Sequence, residues 1–268
     1  MDAMSITDQE FIQFQRFIYD AAGISMSSGK KALVSGRLAK RVRQCNLSSY
    51  GEYFRLLASG DAPAEVQTAV DLLTTNETYF FREPKHFDTL REHALAARRR
   101  VQTFRVWSAA CSTGEEPYSI AMVLADCLAN GLWEVLGSDI STRVLQRACT
   151  GHYPTERTGH IPPSYLQRFC LKGVGEQQGT LLVARSLRAK VQFMQVNLNA
   201  PLPQLGMFDA IFLRNVMIYF NAETKRQVVS RVLSQLKPGG IFCIGHSESL
   251  NDITDAVQAI APSIYRKR

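Results

Sequence analysis

VWSAACSTGEEPYSIA, residues 106–121, is the stretch that decides the fold of this chain. Residues 106–109 are apolar enough for a buried strand, Gly114 lies in a loop of small polar residues, and Pro117 suits the first turn of a helix. A strand, a tight loop and a helix N-terminus in this order form the ligand cradle of open α/β sheets. The stretch therefore predicts a ligand site at the carboxyl end of a parallel strand.

The loop is unusual in its charge. Dinucleotide-binding loops carry three glycines so that the backbone can approach a pyrophosphate, whereas this loop has one glycine followed by Glu115 and Glu116. Carboxylates at this place suit hydroxyl groups or a cation and oppose a phosphate. S-adenosylmethionine has a ribose with two hydroxyls and a sulfonium and lacks phosphate, so the loop favours it as the cofactor.

Strands and helices alternate on both sides of this stretch. The pattern predicts strands at 104–109, 134–138, 191–196, 208–213 and 241–245, and helices at 116–129, 142–149 and 222–236. Parallel strands need helical crossovers, so the fold class is α/β, a doubly wound Rossmann-like sheet over 76–268. The interval 173–190 has glycine turns and one short β-like run, which predicts a small β-insert without a helix.

The first 75 residues have a different pattern. Thr7 and Glu10 form a capping box ahead of an amphipathic helix, and further helical periodicity covers 28–44, 49–59 and 64–74. These features predict a small all-α domain at 1–75 in front of the α/β domain.

The second of these helices has a basic face. Four side chains fall within an arc of about 100°, beside an apolar stripe; they are Lys30, Arg37, Lys40 and Arg41. A solvated surface and a binding surface for an acidic partner both fit this pattern.

Polar residues end successive predicted strands. Asp139 ends one strand, Asn197 the next and Arg214 a third, while Tyr219 follows one helical turn later. Each has an ordinary structural explanation taken alone, as a helix cap, a turn residue or a core aromatic. Their joint occurrence at strand ends favours a ligand site, with Asp139 accepting from ribose hydroxyls and Asn197 pairing with adenine.

Composition excludes several classes of protein. The chain has 268 residues, of which 46% are hydrophobic and 21% charged, as expected for a globular protein with one ordinary domain and a smaller one. No apolar run approaches a membrane span, so we expect a cytoplasmic protein without membrane insertion. The six cysteines and five histidines lack metal-ligand spacing, so no metal is expected. The net charge of +7 alone selects no partner.

Six motifs in order resemble the CheR family of chemotaxis methyltransferases over nearly the whole chain. They are TTNETYFFRE (74–83), STGEEPYS (112–119), SDI (138–140), VNL (196–198), RNVMIYF (214–220) and LKPGGIFCIGHSE (236–248). The resemblance implies an enzyme that transfers a methyl group from S-adenosylmethionine to glutamate carboxylates of chemoreceptors. It also implies S-adenosylhomocysteine as the product.

The resemblance carries over site residues motif by motif. The implied cofactor contacts are Asn76, Thr78, Arg82, Glu116, Asp139, Asn197, Leu198, Leu213 and Arg214. Arg82 and Tyr219 correspond to residues beside the transferred methyl group and the incoming glutamate. Which of Glu115 and Glu116 faces the ribose stays open.

The same resemblance implies the partner. The helical domain is expected to bind the cytoplasmic helices of chemoreceptors, which gives the basic face of Lys30, Arg37, Lys40 and Arg41 a role. The insert at 173–190 resembles a β-subdomain on which some family members dock a receptor C-terminal peptide. We expect a monomer.

Two other functions are consistent with parts of the sequence. A nucleic-acid methyltransferase would suit the positive charge, but the chain has no Asn-Pro-Pro-aromatic loop, no Pro-Cys nucleophile and no evident aromatic stacking platform. A non-enzymatic receptor adaptor that binds S-adenosylmethionine is disfavoured because Arg82, Asp139, Arg214 and Tyr219 are all present.

Overall fold

The computed structural model describes residues 5–98, 102–129 and 131–268. Its backbone contacts divide the chain into two compact units. The first, called the helical unit below, comprises Met1–Thr75 and Tyr219–Thr224; the second, the sheet unit, comprises Asn76–Ile218 and Lys225–Arg268. The sequence placed 219–224 in the second domain, and this short segment instead belongs to the helical unit.

Four α-helices are present in the described part of the helical unit, from residue 5 onward. They are α1 (Asp8–Ala22), α2 (Lys31–Gln44), α3 (Tyr50–Ala58) and α4 (Pro63–Leu73). The capping box at the start of α1 is present, because the Thr7 N–H donates to Glu10 Oε2 at 2.8 Å and the Glu10 N–H donates to Thr7 Oγ1 at 3.2 Å. The core is closed by apolar side chains from several helices, among them Phe14, Leu38 and Tyr53.

The second predicted helix is interrupted at its start. Ser28–Lys30 form a 3₁₀ turn, and α2 begins only at Lys31. Lys30 therefore lies outside the regular helix that was used to predict the basic face.

The main sheet of the sheet unit has seven strands among the described residues. They are β1 (Phe104–Ser108), β2 (Trp133–Asp139), β6 (Val191–Gln195), β7 (Phe208–Leu213), β8 (Leu236–Ile244), β9 (Val257–Ala261) and β10 (Ile264–Lys267), in the order β6-β2-β1-β7-β8-β10-β9. The five strands from β6 to β8 are parallel. All residues of β7 are buried, as expected for a central parallel strand covered on both faces. The predicted doubly wound α/β sheet is thus confirmed.

Helices connect and cover the strands of this sheet. They are α5 (Lys85–Ala97), α6 (Glu115–Leu128), α7 (Thr142–Thr150), α8 (Pro163–Phe169), α9 (Arg185–Arg188) and α10 (Ala222–Ser234). Within the described ranges, no helix combines the length and the apolar character that crossing a membrane requires.

The C-terminal hairpin was not predicted. β10 pairs antiparallel with both β8 and β9 and so ends the parallel order. Only Val257 of β9 is buried, so this edge strand has no alternating apolar pattern from which it could be predicted.

The β-insert is larger than the sequence indicated, and one part of the prediction is wrong. A three-stranded antiparallel sheet has the order β3-β5-β4, formed by β3 (His152–Pro154), β4 (Cys170–Lys172) and β5 (Thr180–Val183). Two of these strands precede the predicted interval 173–190. The interval also contains the helix α9, which was not expected; its one buried residue, Leu187, gives too short an apolar pattern to predict a helix.

Candidate functional site

The loop between β1 and α6 has a fixed shape. The Cys111 N–H donates to the carbonyl of Ser138 at 2.8 Å, which ties the loop to β2. Gly114 has φ 94°, a left-handed conformation, and a Cβ atom there would lie 2.8 Å from the Tyr153 hydroxyl. Both conformation and space therefore require glycine where the loop turns into α6.

Asp139 lies at the carboxyl end of β2 and is buried. Its Oδ2 accepts from the Ser112 N–H at 2.9 Å, and its Oδ1 accepts from the Ser141 N–H at 3.0 Å. One contact comes from the loop after β1 and the other from the entry to α7. The carboxylate is thus held at the sheet edge, where the sequence predicted it.

Asn197 follows the neighbouring strand. β6 pairs with β2 in a register that places Gln195 opposite Asp139, so Asn197 lies just beyond the same edge. Its Oδ1 accepts from the Asn199 N–H at 2.9 Å, which orients the side-chain amide. Leu198, the next residue, is buried.

The two consecutive glutamates at the start of α6 differ. Glu115 is fully buried; its Oε2 accepts from the Thr113 hydroxyl at 2.6 Å, and its Oε1 lies 2.9 Å from Arg157 Nη2. Burial raises the pKa of Glu115. Glu116 accepts from the Ser108 hydroxyl at 2.7 Å, at the end of β1. Glu115 therefore lies in the interior and Glu116 at the end of β1, and which of them contacts the ribose stays a prediction.

Arg214 connects the end of β7 to two carboxylates. It follows the fully buried Leu213, and its own side chain is only 2% exposed. Its Nη1 lies 2.7 Å from Glu116 Oε2, its Nη2 lies 3.0 Å from Glu83 Oε2, and Nη2 also donates to the carbonyl of Arg82. Burial opposes the charge, but the two carboxylates outweigh it and raise the pKa of Arg214.

The segment from Asn76 to Glu83 is attached to this edge through its backbone. The Ser112 hydroxyl donates to the carbonyl of Asn76 at 2.8 Å, and Arg157 Nη2 donates to the carbonyl of Thr78 at 3.2 Å. The structure therefore brings Asn76 to the loop that binds Asp139, and it binds Thr78 to Arg157, which also contacts Glu115 at the start of α6.

Arg82 is half-buried at the end of this segment. Its Nη1 donates to the carbonyl of Glu77 at 3.3 Å, and its Cζ lies 5.6 Å from the centre of the Tyr79 ring. These contacts keep the guanidinium near the surface of the segment, and its catalytic role stays a prediction.

A cavity of about 480 Å³ opens beside this segment. Its lining includes the predicted cofactor residues Asn76 and Thr78 together with Thr113 of the loop. Space for a ligand therefore exists next to the loop that follows β1.

Glu248 is a site residue that sequence reasoning missed. Its carboxylate accepts from the N–H groups of Gly245 at 2.6 Å, Met217 at 2.8 Å and Asn215 at 2.9 Å. Burial nevertheless raises the pKa of Glu248. Glu248 shapes the turn after Arg214. It is the last residue of the motif at 236–248, but the motif does not indicate which backbone groups its carboxylate binds.

The gathered residues fit S-adenosylmethionine by their chemistry. The carboxylates of Glu116 and Asp139 suit ribose hydroxyls, and the amide of Asn197 suits an adenine edge. The Nε of Arg214 is buried without a hydrogen-bond partner among the described residues, so it is a donor that a bound ligand can satisfy. All nine predicted cofactor residues belong to the sheet unit.

Tyr219 lies elsewhere in this division of the chain. It ends the 3₁₀ turn Met217–Tyr219 and belongs to the helical unit, where its carbonyl accepts from the Ser25 N–H at 2.7 Å. Phe220 forms a β-bridge with Ile24 next to it. The catalytic role of Tyr219 stays a prediction.

Two of the four predicted receptor-binding residues are engaged inside the helical unit. Arg37 donates to the carbonyl of Leu73 at 2.7 Å and to the Thr75 hydroxyl at 2.9 Å. Arg41 Nε donates to Glu65 Oε1 at 2.8 Å. Helical spacing did not indicate these contacts, because their acceptors lie on α4 and just beyond it.

Lys30 and Lys40 are both exposed. They are therefore the members of the predicted receptor-binding set that present their charge to solvent. The receptor-binding role of all four residues stays a prediction.

Family models match both units. The model described as "CheR methyltransferase, all-alpha domain" matches residues 9–74, and "CheR methyltransferase, SAM binding domain" matches residues 76–265. A "Chemotaxis protein methyltransferase" of Escherichia coli is 43% identical over 98% of this chain and 92% of that protein. A "Chemotaxis protein methyltransferase 2" of Pseudomonas aeruginosa is 41% identical over 97% of this chain and 93% of that protein.

Proposed function

The chain belongs to the CheR methyltransferase family, and from this premise we propose that it methylates glutamate side chains of chemoreceptors. It is a protein-glutamate O-methyltransferase that uses S-adenosylmethionine, forms glutamyl methyl esters and releases S-adenosylhomocysteine. The esters would serve sensory adaptation in chemotaxis.

One observation carries the proposal. Arg214 joins Glu116, a predicted cofactor residue, to the backbone of Arg82, a predicted catalytic residue. A single buried guanidinium thus couples the predicted cofactor cradle to the group that would receive the substrate carboxylate. An adaptor that only binds S-adenosylmethionine would not require this coupling.

The cofactor residues have distinct proposed tasks. Glu116 and Asp139 hold the ribose, Asn197 and Leu198 hold the adenine, and Asn76 and Thr78 contribute from the segment before α5. Leu213 and Arg214 line the site at the end of β7. When bound, S-adenosylmethionine supplies a methyl group on a positively charged sulfur.

The acceptor needs little chemical activation. A glutamate side chain has an ordinary pKa near 4.3 and is ionised at neutral pH, so no general base is required. The protein must instead align the carboxylate with the methyl group, and such alignment can contribute on the order of 7 to 11 kcal/mol. Arg82 would orient the carboxylate, and Tyr219 would donate a hydrogen bond to it.

The receptor is the proposed macromolecular partner. Its methylated helices are rich in Glu and Gln, which complements the exposed charges of Lys30 and Lys40. The edge of the β3-β5-β4 sheet is the proposed place for a receptor C-terminal peptide, because an exposed β edge can accept an extended strand. We further propose that the protein acts in the cytoplasm as a monomer.

Transfer of a labelled methyl group tests the proposal. The protein is incubated with methyl-labelled S-adenosylmethionine and membranes that contain chemoreceptors, and the receptors are then treated with mild base. We expect the label on the receptor to be released as methanol, because glutamyl esters hydrolyse where N-methyl groups persist. Excess S-adenosylhomocysteine should suppress the labelling.

Two variants control this experiment. Asp139→Asn should lose cofactor binding and methyl transfer together, whereas Asp88→Asn, an exposed residue of α5, should retain both. Cofactor binding by the wild-type protein without transfer to any receptor would contradict the proposal and favour the adaptor. Base-stable label on nucleic acid would favour a nucleic-acid methyltransferase.

A further inference from the structure

Arg82 lies between two residues with left-handed backbone. Phe81 has φ 54° and Glu83 has φ 59°, and neither is glycine. Residues other than glycine adopt this backbone conformation only where the surrounding contacts enforce it, and such residues cluster at functional sites. The backbone on both sides of the predicted catalytic arginine is therefore held against its own preference.

A hydrogen bond to α6 holds Phe81. Its N–H donates to the Ser119 hydroxyl at 3.0 Å, and that hydroxyl donates to the carbonyl of Glu115 at 2.7 Å. The first strained residue is thus attached to α6.

The contacts that hold Glu83 come from two residues, His246 and Arg214. Its Oε1 accepts from the His246 N–H at 3.1 Å, and its Oε2 lies 3.0 Å from Arg214 Nη2. The same nitrogen of Arg214 donates to the carbonyl of Arg82. One guanidinium therefore binds both the side chain of Glu83 and the peptide group immediately before it. Burial would raise the pKa of Glu83, but Arg214 and the His246 N–H keep it below its ordinary value.

His86 supports Glu83 from the protein interior. It is fully buried, its Nδ1 lies 3.5 Å from Glu83 Oε2, and its Nε2 lies 2.8 Å from the Ser263 hydroxyl at the turn between β9 and β10. Glu83, His86 and His246 each offer an atom within 4.8 Å of the others, a spacing that a metal ion could use. The guanidinium of Arg214 already supplies positive charge to Glu83 Oε2, which argues against a cation there.

We infer that Glu83 is a positioning residue for methyl transfer: through Arg214 and its own strained backbone it fixes Arg82 at the place where the acceptor carboxylate must bind. His86, bound to the Ser263 hydroxyl, lies against the Glu83 carboxylate and limits where its Oε2 can move. The inference rests on the proposed function, because the role of Arg82 toward the acceptor is proposed there.

The substitution Glu83→Gln tests the inference. Glutamine keeps the size of the side chain and an acceptor for the His246 N–H, but it lacks the charge that attracts Arg214. We expect kcat for receptor methylation to fall about tenfold, equivalent to about 1.4 kcal/mol. Calorimetry should give a cofactor Kd within about twofold of the wild-type value, a difference well under one tenfold step. Glu92→Gln, the same exchange at an exposed position of α5, should change neither quantity.

A double substitution separates positioning from general structural support. In an Arg82→Ala background, Glu83→Gln should cause no further loss of kcat, because the group that it positions is already gone. Multiplying losses would show that Glu83 acts independently of Arg82 and would overturn the inference. If Glu83→Gln does not fold, Ser263→Gly replaces it: glycine tolerates the φ of 58° and removes the hydroxyl that holds His86. A smaller fall in kcat that likewise vanishes with Arg82→Ala supports the inference, and an unchanged kcat contradicts it.

The wild-type protein distinguishes this inference from the proposed function. Normal methyl transfer by the wild type together with a normal kcat for Glu83→Gln overturns the inference alone. Cofactor binding by the wild type without transfer overturns the proposed function and the inference with it.

Discussion

Basic side chains are used differently at the sheet edge and in the helical unit. At the edge, Arg214 is buried between the carboxylates of Glu83 and Glu116. In the helical unit, Arg37 and Arg41 are partly exposed and bind groups at neighbouring helices. The first arrangement lies at the predicted ligand site, whereas the second joins α2 to α4 and the residues after it.

The difference shows what a pattern of charges can predict. Polar residues at the ends of parallel strands meet at one edge, because the topology leaves them no other place. Charged residues on one face of a helix share only a direction, and a long arginine side chain can reach a neighbouring helix and bind its polar groups there. A charged strand end therefore indicates a site more strongly than a charged helix face.

The largest effect is expected from Arg214→Ala. This change leaves Glu83 and Glu116 buried without their cation, and removing one partner of a buried ion pair costs about 3 to 5 kcal/mol of folding free energy. Urea unfolding followed by tryptophan fluorescence measures it, because both tryptophans, Trp107 and Trp133, lie in β1 and β2. The exposed Arg98→Ala serves as control. A loss below about 1 kcal/mol, the range of surface ion pairs, would remove the contrast between the two regions.

The next largest effect is expected from Arg82→Ala, and it is a loss of catalytic activity. Removing a preorganised charge at a reacting group commonly lowers kcat about 10² to 10³-fold. Turnover should fall by about that factor while the cofactor Kd changes much less, and unfolding by urea should stay close to that of Arg98→Ala. Equal losses in kcat and cofactor affinity would instead make Arg82 a binding residue.

The sequence was sufficient to predict the five parallel strands and the sheet edge at which the predicted site residues lie. The five parallel strands and the three polar residues that end them, Asp139, Asn197 and Arg214, follow from apolar runs and strand topology. β9 could not be predicted because its residues, VQAIA, do not alternate between apolar and polar side chains. α9 could not be predicted because it is a single turn.

The contacts that hold the predicted site residues in place were not predictable from the sequence. Glu83, His86 and Glu248 act through contacts with segments far along the chain, as in the bond from the His246 N–H to Glu83. No local pattern reports such distant pairs. The same limit applies to Arg37, whose spacing on α2 indicated a surface while its acceptors lie at the end of α4.

The buried network at the sheet edge should also respond to pH. Burial, with Arg214 and His246 nearby, lowers the pKa of His86 to about 3, while Glu83 opposes the shift. The unfolded histidine titrates near 6.5, so this contribution to stability is complete above that pH and is lost as pH falls toward 3. Between pH 7 and pH 5 the wild type should lose about 2 kcal/mol relative to His86→Gln. The free energy of unfolding of both proteins is measured against pH by tryptophan fluorescence. If it changes equally with pH in the wild type and in His86→Gln, His86 does not titrate in this way.

In the helical unit, Arg37→Ala tests whether the contrast extends to stability. Arg37 satisfies carbonyls at the C-terminus of α4, and hydrogen bonds from a charged group contribute up to about 3 kcal/mol when buried. Because Arg37 is partly exposed, we expect a loss of about 1 kcal/mol. Circular dichroism should shift while the tryptophan signal of the sheet unit stays unchanged. An unfolding transition by circular dichroism that matches the wild type would mean that Arg37 is available for another role.

The smallest effect is expected from Lys40→Glu, which tests the receptor surface without disturbing either network. Lys40 is exposed, so folding stability and cofactor Kd should stay unchanged. Repulsion of an acidic receptor helix should raise the receptor KM several-fold, about 1 kcal/mol at low salt, and less as salt is added. Arg55→Glu, an exposed position of α3, is the control with the same change in charge. An equal increase in KM for both variants would mean that the receptor senses the net charge of the helical unit, and no increase for either would leave α2 as a solvated face.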